Sequence, residues 1–345
     1  MKKTVSQFSI IVKGTNWIGD VFLSLPAVYS LRHLFPDARI DIALKRPLGE
    51  LVSGVEAIDE VIEYDGTLSG EIDLVRRLRG RKYNLGVIFP RSIHSASLIF
   101  LSGARERLGY RADFRSFLLT KGVSRTSEIQ KKHQSEYYRH LVSHLGDAGP
   151  FVIPRILPTE TEDDWAQTFL RGNGYRGGPL FGLNPGAAYG GAKRWRPERF
   201  GMAADAMIDE FGGSAVIFGG GGDRATADEV LLSMRHPAIL AAGRTTIRQL
   251  IALISKTSIF ITNDTGPMHI ASAVGIPIVA IFGSTNPLTT SPMGVSSIIR
   301  HPLPCSPCLK RACPEGHKDC MELITAQDVV LGARELYVSK PGVKK

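Results

Sequence analysis

The chain has 345 residues, room for two domains, with 43% apolar and 22% charged residues and a formal net charge of +9. That composition excludes a disordered chain, and disorder is expected only in the tail 340–345. After Met1-Lys2-Lys3 the apolar run spans only Ile10–Val12, too short for a signal peptide, and no stretch nears the roughly 18 apolar residues of a membrane span. A cytoplasmic location is therefore expected.

In chain order, Phe8–Val12 reads as a strand, followed by a glycine turn through Gly14 and Gly19-Asp20 and then the helical periodicity Val21, Leu25, Val28, Leu31. Further strands are expected at Arg39–Leu44, Asp59–Tyr64 and Leu85–Phe89. From Arg76 to Arg139 there are 15 Lys/Arg against four acids (Glu106, Asp113, Glu128, Glu136). This excess suits an anionic partner such as acidic lipid or an acidic glycan; a solvated face is the plain alternative. No zinc-finger or RNP motif supports nucleic acid. Gly149-Pro150, Pro154 and Pro158 punctuate a linker, and strands resume at Leu180–Leu183, Ala215–Phe218, Ser258–Thr262 and Pro277–Phe282. Thr325–Asp328 opens a capped amphipathic helix. Strands alternating with helices imply α/β architecture, two doubly wound parallel sheets. The expected domains are 1–155, 156–325, and a C-terminal helix and tail 326–345 packing back toward the N-terminal domain.

In such sheets ligands sit at the turns beyond the strands' carboxyl ends. Four turns stand out. At the first, Asp20 is either a helix N-cap or a carboxylate able to take a proton from a hydroxyl. The second, Asn184 to Trp195, has glycines and alanines that let backbone N–H groups approach a phosphate, and Lys193 to neutralise it; it is not a Walker A loop. The third, Gly219–Asp223, matches a dinucleotide fingerprint only loosely. The fourth, Thr262 to His269, would present a helix N-terminus to an anion, with Pro267 near its start; His269 alone also fits a packed core histidine. No Asp-x-Asp pair offers a diphosphate-bound metal, which leaves Lys193 and helix dipoles to do that work. Cys305, Cys308, Cys313 and Cys320 follow a C-x2-C-x4-C-x6-C spacing with His317 inside it. Zinc or an iron–sulfur cluster would suit them, with reduced thiols in a Pro-rich loop as the alternative.

TNWIGD at 15–20, LNPGAAYGGAKRW at 183–195, AGRTT at 242–246, TNDTGPMH at 262–269 and FGSTNP at 282–287 together resemble the lipopolysaccharide heptosyltransferases, as does RLGYRADFRSFLLT at 107–120. The likeness covers nearly the whole chain, and the longer turn with Trp17 looks more like type II than type I. It implies a GT-B fold, two Rossmann-like domains with a cleft between them that closes on the substrates. It also implies an inverting, metal-independent transfer of heptose from ADP-heptose to the first heptose of the inner core on lipid A. By resemblance Asp20 is the general base, and Lys193 binds the diphosphate and acts in catalysis. Gly186, Ala188, Tyr189, Asp264, Thr265, Gly266 and His269 line the donor site; Thr245 lies near the adenine and Asp223 near the ribose. Type I members carry Thr-Thr where this chain has Ala188-Tyr189. Arg91, Arg111 and Arg115, in the basic stretch, are the acceptor-binding candidates. The expected partners are the nucleotide sugar, the phosphorylated acceptor and, peripherally, the anionic inner leaflet of the inner membrane; no cofactor, no nucleic acid and a monomeric state are expected. The alternatives are a transferase for another sugar or acceptor and a nucleotide-sugar epimerase.

Overall fold

Runs of β-branched and aromatic residues, each ending in Gly, Pro, Asn or Ser, make strands buried on both faces once helices cover them. The computed structural model describes residues 7–339, so the tail 340–345 lies outside the described residues. The chain divides into two compact units at Ile156/Leu157.

The first unit holds β1 (Ser9–Lys13), β2 (Arg39–Lys45), β3 (Glu60–Tyr64), β4 (Leu85–Ile88), β5 (Glu106–Tyr110) and β6 (Lys121–Val123). They form one sheet in the order β3-β2-β1-β4-β5-β6. All pairings are parallel, with Val12 opposite Ile42 on one side and Val87 on the other. The second unit holds β7 (Leu180–Asn184), β8 (Ser214–Ile217), β9 (Ala238–Leu240), β10 (Ile259–Asn263), β11 (Ile278–Phe282) and β12 (Ser296–Arg300). Its order, β12-β11-β10-β7-β8-β9, is the same parallel winding. Both sheets are Rossmann-like and doubly wound, as expected for a GT-B fold. Each has its switch point where the chain reverses direction across the sheet, at β1/β4 and at β7/β10, and such crevices are where ligands bind.

The eight strands expected from sequence are present within a residue or two. The other four, β5, β6, β9 and β12, lie at or near sheet edges and read as ERLGY, KGV, AIL and SSIIR, too short or too polar to show a strand period. In the helix Ala326–Val338 the expected capping box is made: the Thr325 hydroxyl accepts from the Asp328 N–H and the Asp328 carboxylate accepts from the Thr325 N–H. The apolar face of this helix, Val329, Val330 and Ala333, is taken up by the second unit's own core, beside the helix Pro197–Phe211 and β10–β12. No helix among the described residues is long and apolar enough to cross a membrane.

Candidate functional site

At the second unit's switch point the turns after β7 and β10 are laced together by two asparagines. Asn184, ending β7, donates from Nδ2 to Thr262 Oγ1 (3.0 Å) and Thr265 Oγ1 (2.9 Å). Asn263, ending β10, donates to the Pro185 carbonyl (2.7 Å) and accepts from the Trp195 N–H (3.1 Å). Each satisfies buried backbone or hydroxyl groups of the neighbouring turn, so the two turns form one rigid piece. Lys193 reaches across it. Its ammonium donates to Asp264 Oδ2 at 2.8 Å and to the Asp264 carbonyl at 3.2 Å, and it lies 5.1 Å from the centre of the Tyr189 ring. Its side chain is 14% exposed and that of Asp264 5%, so the cation keeps a path to solvent on the side away from its carboxylate partner.

Thr265 is the N-cap of the helix Gly266–Val274 without a side-chain cap bond, because its hydroxyl is turned toward Asn184. Pro267 has no N–H and the Met268 N–H donates to the Thr265 carbonyl (3.2 Å), so in the first turn the Gly266 N–H is the group left to meet an anion beside Lys193. His269, on the same turn, is buried. Gly186 is in van der Waals contact with Asp223: a Cβ there would come within 2.4–2.6 Å of the carboxyl group. Asp223 accepts from the Gly220 N–H at 3.1 Å and stands 3.7 Å from Arg194. The Gly243 N–H donates to the Gly219 carbonyl (3.0 Å), which ties the turn carrying half-buried Thr245 to the glycine run after β8. Ala188 and Tyr189 are exposed on the rim. The structure thus gathers Gly186, Tyr189, Lys193, Asp223, Asp264, Thr265, Gly266 and His269 around one edge of the sheet, with Thr245 on the adjoining turn.

In the first unit, Asp20 is not the helix cap. The helix Ile18–Leu34 is capped by Trp17, without a side-chain bond, and Asp20 sits half-buried in its first turn. Burial pushes the phenol pKa of Tyr138 well above its usual value, with the Asp20 charge adding to the rise and the Arg91 charge opposing it. Asp20, Tyr138 and Arg91 therefore share one neighbourhood. Arg91 is exposed on the turn after β4, across the switch point from the Asp20 turn. Arg111 is exposed, its side chain laid along Gly122. Arg115 is corrected as a surface cation. It is fully buried, donating from Nε to the Tyr110 carbonyl (2.9 Å) and from Nη1 to the carbonyls of Pro90 and Ser92, and burial lowers its pKa to about 10. Arg107 is likewise spent on the carbonyls of Leu118 (2.6 Å) and Ala104 (2.8 Å). Arg105, Arg111, Lys131 and Lys132 remain exposed.

The four cysteines are free thiols. No three His, Cys, Asp or Glu side chains among the described residues are arranged to hold a metal ion.

The glycosyltransferase family 9 (heptosyltransferase) model matches residues 72–319, from the helix before β4 to the residue before Cys320. The chain belongs to glycosyltransferase family 9. It is 28% identical over 299 residues to lipopolysaccharide heptosyltransferase 2 of Escherichia coli strain K12, covering 82% of this chain and 85% of that one. It is 26% identical over 310 residues to lipooligosaccharide heptosyltransferase 2 of Haemophilus influenzae, covering 84% and 88%. Among solved structures, the E. coli ADP-heptose lps heptosyltransferase II superposes with a TM-score of 0.82 at 26% identity over 96% of this chain and 99% of that one. A glycosyl transferase family 9 protein from Veillonella parvula superposes with 0.87 at 26% identity over 96% and 98%. The chain is thus a family 9 glycosyltransferase, and the expected likeness to type II heptosyltransferases is borne out.

Sequence reasoning passed over Asn184, Asn263 and Tyr138. The asparagines carried a signal, a polar side chain closing a buried strand at a switch point. Tyr138 carried none, because its nearness to Asp20 comes from the packing of the helix Gln134–Val142 on the helix Ile18–Leu34.

Proposed function

We propose that this chain transfers heptose from ADP-L-glycero-D-manno-heptose to the first heptose of the lipopolysaccharide inner core, with inversion and without a divalent metal. The observation that carries the reading is the pairing of Lys193 with Asp264 beside an uncapped helix N-terminus, in a family 9 chain. The kinship to heptosyltransferase 2 enzymes supports the donor and acceptor classes.

Asp20 accepts the proton of the acceptor hydroxyl, whose oxygen then forms the new bond to the anomeric carbon from the face opposite the leaving group. The bond from that carbon to the diphosphate oxygen breaks, and ADP leaves with the electron pair. Lys193, the Gly266 N–H and the positive end of that helix stabilise the charge that develops on the diphosphate, the work a divalent ion would otherwise perform. Exposed Arg91 and Arg111 meet the phosphorylated acceptor. The protein acts as a monomer, peripherally, at the cytoplasmic face of the inner membrane.

The test is a donor screen. Purified protein is given a heptose-terminated core acceptor with ADP-heptose, UDP-sugars or GDP-sugars, and product mass is followed with and without chelator. One added heptose from the ADP donor, at a rate indifferent to chelator, is expected. Faster turnover of a UDP- or GDP-sugar refutes the donor, and strict dependence on magnesium refutes the role given to Lys193.

A further inference from the structure

The cysteine-bearing segment 301–320 has no part in the chemistry above, yet it is built into the donor turn. The Arg311 carbonyl accepts from the Ala192 N–H (3.1 Å), and the Leu309 carbonyl accepts from the Tyr189 hydroxyl (3.1 Å). The Arg311 guanidinium stacks 5.3 Å from the Tyr189 ring centre. A Cβ on Gly190 would come within 2.4 Å of the Arg311 carbonyl oxygen, so the two backbones are in contact. On its other side the segment is tied to the end of β11. Ser306 Oγ donates to the Gly283 carbonyl (2.6 Å), and the Leu309 N–H donates to the Ser284 carbonyl (2.8 Å). The whole clamp that holds the Tyr189–Lys193 turn is thus a segment with almost no regular secondary structure. Its fold must come from something other than a hydrogen-bond ladder.

All four thiols, from Cys305, Cys308, Cys313 and Cys320, line one cavity of about 20 Å³ beneath Ala192. That is room for at least one water-sized sphere, enough for a single ion. Ser284 lines the same cavity, and its hydroxyl is buried with no hydrogen-bond partner. A hydroxyl in that position can donate to a thiolate sulfur. Lys318 also lines the cavity, and Lys310 and Arg311 lie in the chain between Cys308 and Cys313, so positive charge is at hand for an anionic centre. His317 and Glu315 line the cavity as well, and His317 Nδ1 accepts from the Asp319 N–H (2.9 Å).

We propose that Cys305, Cys308, Cys313 and Cys320 bind one thiophilic metal ion of the zinc class as a tetrathiolate centre, and that this ion locks the segment 301–320 against the turn that presents Lys193. The thiols surround the cavity without yet converging on a point, and side-chain rotation brings them in. Cys305 is exposed, and Cys308 and Cys313 are half-buried, so three of the four are free of the close packing that would lock their rotamers. Binding converts four thiols to thiolates and releases their protons to solvent; with a divalent ion the centre carries two net negative charges, which the neighbouring cations offset. Four soft sulfur donors select zinc, or a single iron, over magnesium or calcium. The second half of the proposal rests on Lys193 binding the donor diphosphate; the first half does not.

The test begins with the full chain, purified under reducing conditions and reconstituted with zinc, ferrous iron or cobalt(II). Metal analysis should return about one ion per chain, and the cobalt form should show thiolate-to-metal charge-transfer bands, as expected for four sulfur ligands. The paired variant Cys305→Ser/Cys308→Ser leaves buried Cys320 in place and should fold, by circular dichroism, but lose the ion and the bands. Its affinity for ADP, by calorimetry, should fall by about tenfold, or ~1.4 kcal/mol. No ion after reconstitution, or an ion retained by the paired variant, overturns the site. An ion lost with ADP affinity unchanged overturns its coupling to Lys193. Metal content is read without any sugar donor, so a chain that holds the ion but does not use ADP-heptose refutes only the donor assignment and leaves the site standing.

Discussion

Asp20 occupies the third position of its helix, where a carboxylate is favoured by the helix dipole, and shares its surroundings with buried Tyr138 and exposed Arg91. Because Trp17 is the cap, Asp20 is not needed to begin the helix, and Asp20→Asn should fold normally. Loss of a general base costs about 100- to 10,000-fold in kcat. Transfer should fall within that range while ADP affinity, which the proposed donor site of the second unit would set, stays put. Near-normal turnover in a folded variant would remove Asp20 from the chemistry. A second residue in the first unit makes an independent prediction. Lys13 is fully buried at the end of β1, donating to the Gly14 carbonyl (2.7 Å) with its ammonium 5.4 Å from the Tyr64 ring centre. Burial, with Lys45 adding and Glu71 opposing, lowers its pKa from 10.5 to about 7. Between those values the unfolded chain binds the proton and the folded chain does not. This group's contribution to stability therefore grows as pH rises from 7 toward 10.5 and is lost as pH falls back to 7. Lys13→Met should remove that slope. Comparing Tm for both proteins from pH 7 to 10 tests it, and parallel curves would show that Lys13 does not titrate there.

At the scale of the element, the donor turn depends on two glycines for different reasons. Gly186 makes room for the Asp223 carboxyl group, while Gly190, at φ 152°, faces the Arg311 backbone. A flexible carboxylate can retreat; a backbone carbonyl cannot without moving its segment. Gly190→Ala should therefore weaken ADP binding more than Gly186→Ala, by about tenfold or more, ~1.4 kcal/mol, with only a small loss of Tm. Calorimetry on both variants decides the order, and equal affinities would mean that the contact at Gly190 does not position Lys193. The candidacy of this turn was legible in LNPGAAYGGAKRW because small residues before a lysine at a strand's end suit one use, holding an anion. Its support was not legible. Arg311 lies 121 positions beyond Gly190, and nothing local in a Pro- and Cys-rich stretch says which turn it will press against.

For the whole molecule, the basic excess between Arg76 and Arg139 is thinner at the surface than its count implies. Arg107 and Arg115 are spent on carbonyls, and Arg139 bonds the Gly149 carbonyl (2.6 Å) and pairs with Glu136. Exposed Arg105, Arg111, Lys131 and Lys132 are among those left to meet an anionic surface, with Arg76, Arg79, Lys82 and Arg91. Each cation near acidic lipid contributes roughly 1 kcal/mol, screened by salt. Reversing Arg105, Arg111, Lys131 and Lys132 should raise the apparent KM for lipid-anchored acceptor, blunt its salt dependence and reduce co-sedimentation with anionic vesicles, with ADP affinity intact. Unchanged vesicle binding and acceptor kinetics would make the stretch an ordinary solvated face. The reversal of Arg115 is expected instead to unfold the turn it holds, since it would bury a carboxylate among carbonyl oxygens.

Periodicity and turn chemistry are local properties, and through them the sequence by itself determined the alternating strands and helices, the linker near 150 and the four candidate turns. The short edge strands were invisible to it because a three- to five-residue polar strand has no period of its own. Only the tertiary structure decided which turns stand side by side, since that follows from strand order: β7 lies next to β10 and β1 next to β4, across gaps of about 70 residues that no local pattern spans. The same holds for the C-terminal helix, whose apolar face was evident but whose partner was not, and for Arg115, whose charge was counted at the surface until the fold closed around it.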